Sequence, residues 1–266
     1  MSGNESRKRA ARDFQAANPG MSYTRARRQV THGQRRLTAL LGKSLDGANV
    51  TVDLEWASRG GSGPHCLIVG AEVPALLAVL AAGLAAAQRP ADLELVVCGS
   101  ESTQLTVEHR RVDPIELVGL VDDVLASRRK FLCSIDVRDV VDAREHGHPV
   151  PTTVVLIEDH GGTWGTSEAL SRWLRVGRSA GLNLVVGFPA AAPLPTAIDD
   201  TSPAQMLDRF LRATQANPAV VNMTTATIFS LGDRRATLRI FGRRNPDRRV
   251  REPDVLTDFT FTAPQP

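Results

Sequence analysis

Three short stretches of this chain hold residue types that could do chemistry. The first is Val69-Gly70-Ala71-Glu72-Val73-Pro74, where an apolar run ends on glycine and a helix-starting proline follows. Strand, glycine turn and helix, in that order, is the setting in which backbone N–H groups gather around a phosphate. The second is Glu158-Asp159-His160, which closes the β-branched run Thr152–Ile157. Adjacent carboxylates at a strand end suit a divalent cation or an attacking water, and equally suit a solvated pair with no ligand. The third is the series Arg25, Arg27, Arg28, Arg35 and Arg36. With Arg7, Lys8, Arg9 and Arg12 it gives residues 1–36 nine basic side chains against two acidic ones.

Other combinations carry less. Gly42-Lys43-Ser44 has the tail of a phosphate-binding loop, but Leu37 stands where its first glycine is needed and the preceding residues are polar and basic. His146 and His148 sit in a Gly/Pro turn without further ligands at metal-site spacing. No serine or cysteine nucleophile adjoins Asp159-His160. Arg175 and Arg178 share one helix face and read as surface ion-pairing groups, while His65 reads as packing or capping within its turn. Cys66, Cys98 and Cys133 stand far apart without a CxxC pair. They are expected as reduced thiols of a cytoplasmic protein, with no metal site and no disulfide framework.

The elements that position these residues follow a repeated α/β rhythm. Residues 48–56 alternate Val50, Val52, Leu54 and Trp56, the period of a half-buried strand. Cys66–Val69, Leu93–Cys98, Thr152–Ile157 and Leu184–Val186 read as buried strands. Helices are expected over Pro74–Gln88, from Asp113-Pro114-Ile115-Glu116 onward, over Val137–Glu145, and over Ser167–Ser179 with Gly181 as its stop. Thr225–Arg243 reads as a hairpin turning at Gly232-Asp233. Strand–helix–strand order predicts a mainly parallel sheet covered by helices, an α/β three-layer domain. The expected organisation is a basic helical arm over 1–36, the α/β domain over 37–250, and a tail over 251–266.

Charge is distributed unevenly over the 266 residues. The net +3 conceals +7 on residues 1–36, −7 on 37–232, +6 on 233–251 and −3 on 252–266. Basic flanks of this density suit nucleic acid, or an acidic protein surface such as this body itself. Only Phe14 and Tyr23 accompany the arm's arginines, which argues against base-specific reading. From Leu67 to Ala87 the sole charge is Glu72, but Gly70 and Pro74 divide the run into a strand and a helix too short to span a bilayer. No transmembrane segment or secretory leader is expected.

Taken together, Thr51–Trp56, Gly63-Pro64-His65, the strand ending at Gly70-Ala71, Asp122–Glu145, Pro151–Asp159 and Arg175–Val186 resemble the FtsK/SpoIIIE family of P-loop motor ATPases. The likeness is closest to the EccC-type modules of bacterial type VII secretion, and it covers roughly residues 45–190. It implies a RecA-like P-loop fold, with the phosphate loop at Gly70, Ala71 and Glu72 and the Walker B pair at Glu158 and Asp159. It also implies a protein partner in a secretion or DNA-translocation machine, and homo-oligomers.

The departures from that family govern what to expect of function. No lysine follows Gly70-Ala71 to meet the β- and γ-phosphates, and no Ser or Thr stands where Mg²⁺ would be held. Pro74 lacks an N–H, and Glu72 would set a carboxylate against phosphate. The resemblance makes the loop about three residues short. Glu158-Asp159 reverses the family's Asp-Glu, and a misplacement of about an ångström can cost about a hundredfold in rate. Phe188 and Pro189 replace the sensor's polar residues. The expectation is a degenerate, non-hydrolysing relative, a scaffold or regulatory partner with vestigial catalytic residues and no required cofactor. The alternatives are a nucleic-acid-binding protein acting through its arm, and an atypical ATPase that binds ATP and Mg²⁺.

Overall fold

Every position of His65-Cys66-Leu67-Ile68-Val69-Gly70 is buried, because this run lies inside a ten-stranded sheet. The computed structural model describes residues 37–55, 61–100, 103–160, 163–164, 167–189, 226–240 and 254–264, with isolated positions 9, 12, 13, 15, 16 and 23 before them. The proposed arginine contacts of the arm, Arg25, Arg27, Arg28, Arg35 and Arg36, therefore lie outside the described residues, as does Trp56.

In chain order the strands are β1 (Thr38–Ser44), β2 (Asn49–Asp53), β3 (His65–Gly70), β4 (Leu93–Cys98), β5 (Arg110–Arg111), β6 (Thr152–Glu158), β7 (Leu182–Pro189), β8 (Ala226–Gly232), β9 (Arg235–Ile240) and β10 (Val255–Thr260). The helices are α1 (Val73–Ala87), α2 (Pro114–Ser134), α3 (Val140–Glu145) and α4 (Glu168–Val176). Their starts follow the sequence signals. The Asp113 side chain accepts from Glu116 N, Asp139 caps α3, and Ser167 caps α4. Gly181 ends the 3₁₀ turn after α4 with φ 67°, a left-handed conformation that glycine adopts at no steric cost.

Sheet order is β2-β1-β10-β9-β8-β3-β7-β6-β4-β5. From β8 to β5 neighbouring strands run parallel, and from β8 outward to β2 they run antiparallel. Along β3, β6 and β7 side chains alternate between two cores. Cys66, Ile68, Val154, Leu156 and Val185 face α1, whereas Leu67, Val69, Val155, Ile157 and Val186 face α2 and α4. This is the period-two alternation of a sheet covered on both faces.

The antiparallel strands hold a feature that the sequence conceals. β1 packs on α1, and a Cβ on Gly83 would stand 2.9 Å from Leu40 N and 3.0 Å from Ala39 Cα. Helix α1 is thus enclosed between β1 and the parallel strands, which accounts for its lack of a polar face. No helix among the described residues is long and apolar enough to cross a membrane. Residues read as a tail contribute β10, which pairs with β9 on one side and β1 on the other and buries Phe259 and Phe261. The hairpin β8–β9 turns one residue later than expected, at Asp233-Arg234, both with positive φ (52° and 59°).

His65 fixes the start of β3. Leu184 N donates to its Nδ1 at 3.1 Å, so its Nε2–H donates to Leu174 O at 3.0 Å. One ring thereby ties β3 to β7 and to the last turn of α4. Burial holds its pKa down to about 4, against the raising effect of the Leu174 carbonyl and with a smaller lowering from Arg178. Arg175 and Arg178 lie at this same edge, opposite the Gly70 end of the sheet. Arg128 also serves this edge. It donates to Ala180 O, Gly181 O and Thr153 Oγ1 at 2.6, 2.9 and 2.7 Å, so it is a staple between elements.

A depressed histidine pKa stabilises the fold above the unfolded value near 6.5, and this contribution is lost as pH falls toward 4. The folded state resists taking up the proton that the unfolded chain accepts, which amounts to about 3 kcal/mol over that window. Urea unfolding at a series of pH values should show a steeper loss between pH 6.5 and 4 for the wild type than for His65→Gln. Identical slopes would remove His65 as the cause.

Candidate functional site

The turn after β3 has two residues. Gly70 ends the strand, Ala71 and Glu72 follow, and Val73 begins α1 with Pro74 in its first turn. Gly70 holds φ 129°, and a Cβ there would lie 2.6 Å from Ser230 O. Phosphate loops of the kind the sequence resembles place several residues between strand and helix, so that successive N–H groups encircle an anion. Two residues cannot form such a ring.

The volume beneath the turn is also filled. Val73 is fully buried, and a Cβ on Gly187 of β7 would stand 2.3 Å from its Cγ1. The isopropyl group therefore rests directly on the glycine backbone at the crest of the sheet. Val73 is an apolar plug at this point, and charge placed against it would lose its water.

Glu72 turns away from the crest toward β8–β9. Its N–H donates to Ser230 Oγ at 3.3 Å, and its Oε2 accepts from Arg234 N at 3.1 Å. Arg234 Nε lies 3.6 Å from Glu72 Oε1, and its guanidinium sits 5.7 Å from the Phe261 ring centroid. The left-handed backbone at Asp233 and Arg234 directs both the N–H and the side chain of Arg234 to one carboxylate. The positions read as a vestigial phosphate loop, Gly70, Ala71 and Glu72, are thus locked to a neighbouring hairpin.

Glu158 and Asp159 lie at the same C-terminal edge of the sheet. The strand β7 separates β6 from β3, and Glu158 pairs in register with Gly187. The Glu158 side chain has no exposed surface. Its Oε2 accepts three bonds, from Ser100 N (3.1 Å), Ser100 Oγ (2.7 Å) and Thr103 Oγ1 (2.5 Å). Arg111 secures the same loop from below, donating to the carbonyls of Gly99, Ser100 and Thr103. Glu158 is a latch for the segment after β4, and three donors on one oxygen leave little of that oxygen for a water. Asp159 Oδ2 accepts from Trp164 N at 2.9 Å, and its own N–H donates to Gly187 O at 2.8 Å.

Phe188 faces away from the crest. It is buried with Trp164, Trp173 and Phe229, and so anchors the sheet to the α2/α4 layer. Beside Glu158 and Asp159 opens a cleft of about 520 Å³, lined also by Ser100, Arg111, Glu116, His160 and Trp164. Its lining includes none of Gly70, Ala71 and Glu72. The structure brings Gly70–Glu72 and Glu158–Asp159 to one edge of the sheet, and of these only the second pair lines this cleft. Sequence reading missed Val73, Gly187, Ser100, Thr103, Ser230 and Arg234. Only Gly99-Ser100 after a buried strand offered a local signal for any of them.

No family model matches this chain, and no curated protein matches it. Solved structures do. The cytoplasmic domain of the Thermomonospora curvata type VII secretion ATPase EccC matches over 86% of this chain and 29% of its own, at 19% identity and TM-score 0.61. ATPases 2 and 3 of Thermomonospora curvata EccC, in complex with a signal sequence peptide, match over 88% and 42%, at 14% identity and TM-score 0.57. The pCW3 conjugation coupling protein TcpA, in its monomer form with ATPγS, matches over 85% and 66%, at 13% identity and TM-score 0.53. This chain therefore spans less than half of the EccC chains it matches. At these identities the likeness is one of fold.

The contact of Val73 with Gly187 has a measurable signature. Gly187→Ala should destabilise the chain by about 1–3 kcal/mol through overpacking. Adding Val73→Ala should restore most of that loss, although Val73→Ala alone is destabilising. Chemical unfolding of the four proteins in a double-mutant cycle reads this coupling, and additive effects would refute direct contact.

Proposed function

Because the chain carries the FtsK/SpoIIIE-type P-loop ATPase fold, we propose that it is a non-hydrolysing version of such a domain and serves as a scaffold or regulatory partner. One observation carries this reading: the two-residue β3–α1 connection, with Val73 seated on Gly187 at the start of the helix. The donor set on Glu158 and the outward turn of Glu72 agree with it. The neighbours include a secretion ATPase bound to a signal peptide and a conjugation coupling protein, which supports a partner in a secretion or DNA-translocation machine. There a domain with fixed geometry could occupy an ATPase position without turning over.

A second reading rests on charge. Residues 1–36 carry +7, enough for sequence-independent contacts to phosphates whose strength falls steeply with salt.

Calorimetric titration of the full chain with Mg-ATP should give no saturable heat up to about 1 mM, where binding amounts to only about −4 kcal/mol. Saturable binding, or turnover above about 0.01 s⁻¹ that Glu158→Gln abolishes, would overturn the proposal.

A further inference from the structure

We propose that the outer face of α2 is a self-complementary surface on which a second copy of this chain docks, with the two α2 helices antiparallel. Helix α2 has 21 residues, yet only Leu117, Val121 and Leu132 are buried. The side turned away from the sheet carries Gly119, Asp123, Ala126, Lys130 and Cys133, all exposed. A Cβ on Gly119 would meet no atom within 4 Å, so this face is open.

Charge on this face is ordered in a way that one helix cannot satisfy alone. Asp123 and Lys130 lie two turns apart on the same side of the helix. Neither has a charged residue three or four positions away, where an ion pair within the helix would form. Among the described residues neither forms an ion pair with another element.

A second copy supplies both partners. Negative charge lies toward the N-terminal half of the face and positive charge toward the C-terminal half. A two-fold axis through Ala126 therefore brings Asp123 to the partner's Lys130, and the symmetry repeats this contact. On the adjoining flank the exposed Arg129 comes to the partner's Asp122, a carboxylate that already accepts from Arg172 and Trp173 of α4. A parallel copy in register would instead oppose like charges, which selects the antiparallel arrangement.

Shape agrees with charge. Ala126 lies on the axis and meets its own counterpart, while Gly119 lies opposite the partner's Cys133. Small side chains at these points let the helix axes approach to about 8 Å. The two helices overlap over residues 118–134, about 25 Å, which sets the contact at the small end of protein interfaces and makes the dimer weak and reversible. No group at the β3–α1 turn takes part, so this pairing and the proposed lack of hydrolysis stand or fall separately.

The test uses the full chain with Cys133→Ser, which leaves only the buried Cys66 and Cys98. With Ala126→Cys added, mild oxidation should join two copies through position 126. Gly119→Cys in the same background sets the two thiols about 20 Å apart and should not link. Adding Lys130→Glu to the Ala126→Cys protein should slow linking about tenfold, because two attractions become two repulsions. Adding Asp123→Lys as well exchanges the charges and should restore the rate. All of these positions are exposed, so the variants read docking rather than folding. The proposal is overturned if position 126 does not link, if position 119 links as readily, or if the charge-exchanged protein stays as slow as Lys130→Glu.

Discussion

The length of the chain between β3 and α1 governs this structure. With only Ala71 and Glu72 available, the helix cannot stand off from the sheet, and its first residue must meet the strand beside it. That contact requires an apolar side chain at Val73 and no side chain at Gly187. With the helix down, Val73 covers Gly187, and the Glu72 carboxylate does not lie there. It is instead satisfied by Arg234. The close packing of Val73 and the outward turn of Glu72 both accompany this two-residue connection.

The enclosure of α1 follows the same logic. A helix set low on the sheet exposes its outer side close to the antiparallel strands, and β1 closes over it at Gly83. Both sides of the helix are then buried, and a run that resembles lipid-facing sequence becomes the centre of the α1 core. On the opposite face α2 and α4 are joined through Asp122. Its carboxylate accepts from Arg172 at 2.6 Å and from Trp173 Nε1 at 2.9 Å. That face keeps the usual amphipathic pattern, so its helices were legible from periodicity.

Legibility followed burial. Strand β6 was evident because burial on both faces permits an unbroken β-branched run, and α2 because Asp113-Pro114-Ile115-Glu116 is a complete start signal. Strands β1 and β10 were not. Lys43 interrupts the first, while Thr257, Asp258 and Thr260 make half of the second polar and only Phe259 in it is buried. The candidate site was half visible. Gly70 and Glu158 could be located, since local patterning marks strand ends. Their partners Ser230, Arg234, Ser100 and Thr103 could not, since each lies more than fifty residues away in sequence and only the topology brings it near.

The position of β10 bears on how this protein is made. β1 and β2 emerge early and can pair with each other, yet the strand that hydrogen-bonds β1 to the rest of the sheet is supplied by residues 255–260. During synthesis the N-terminal hairpin must wait for that strand, with one long-range pairing closing the sheet after its parallel part can already have formed. A ribosome-bound fragment ending before residue 255 would present two open backbone edges, β1 and β9, and these are the places where a nascent chain invites a chaperone or a wrong neighbour.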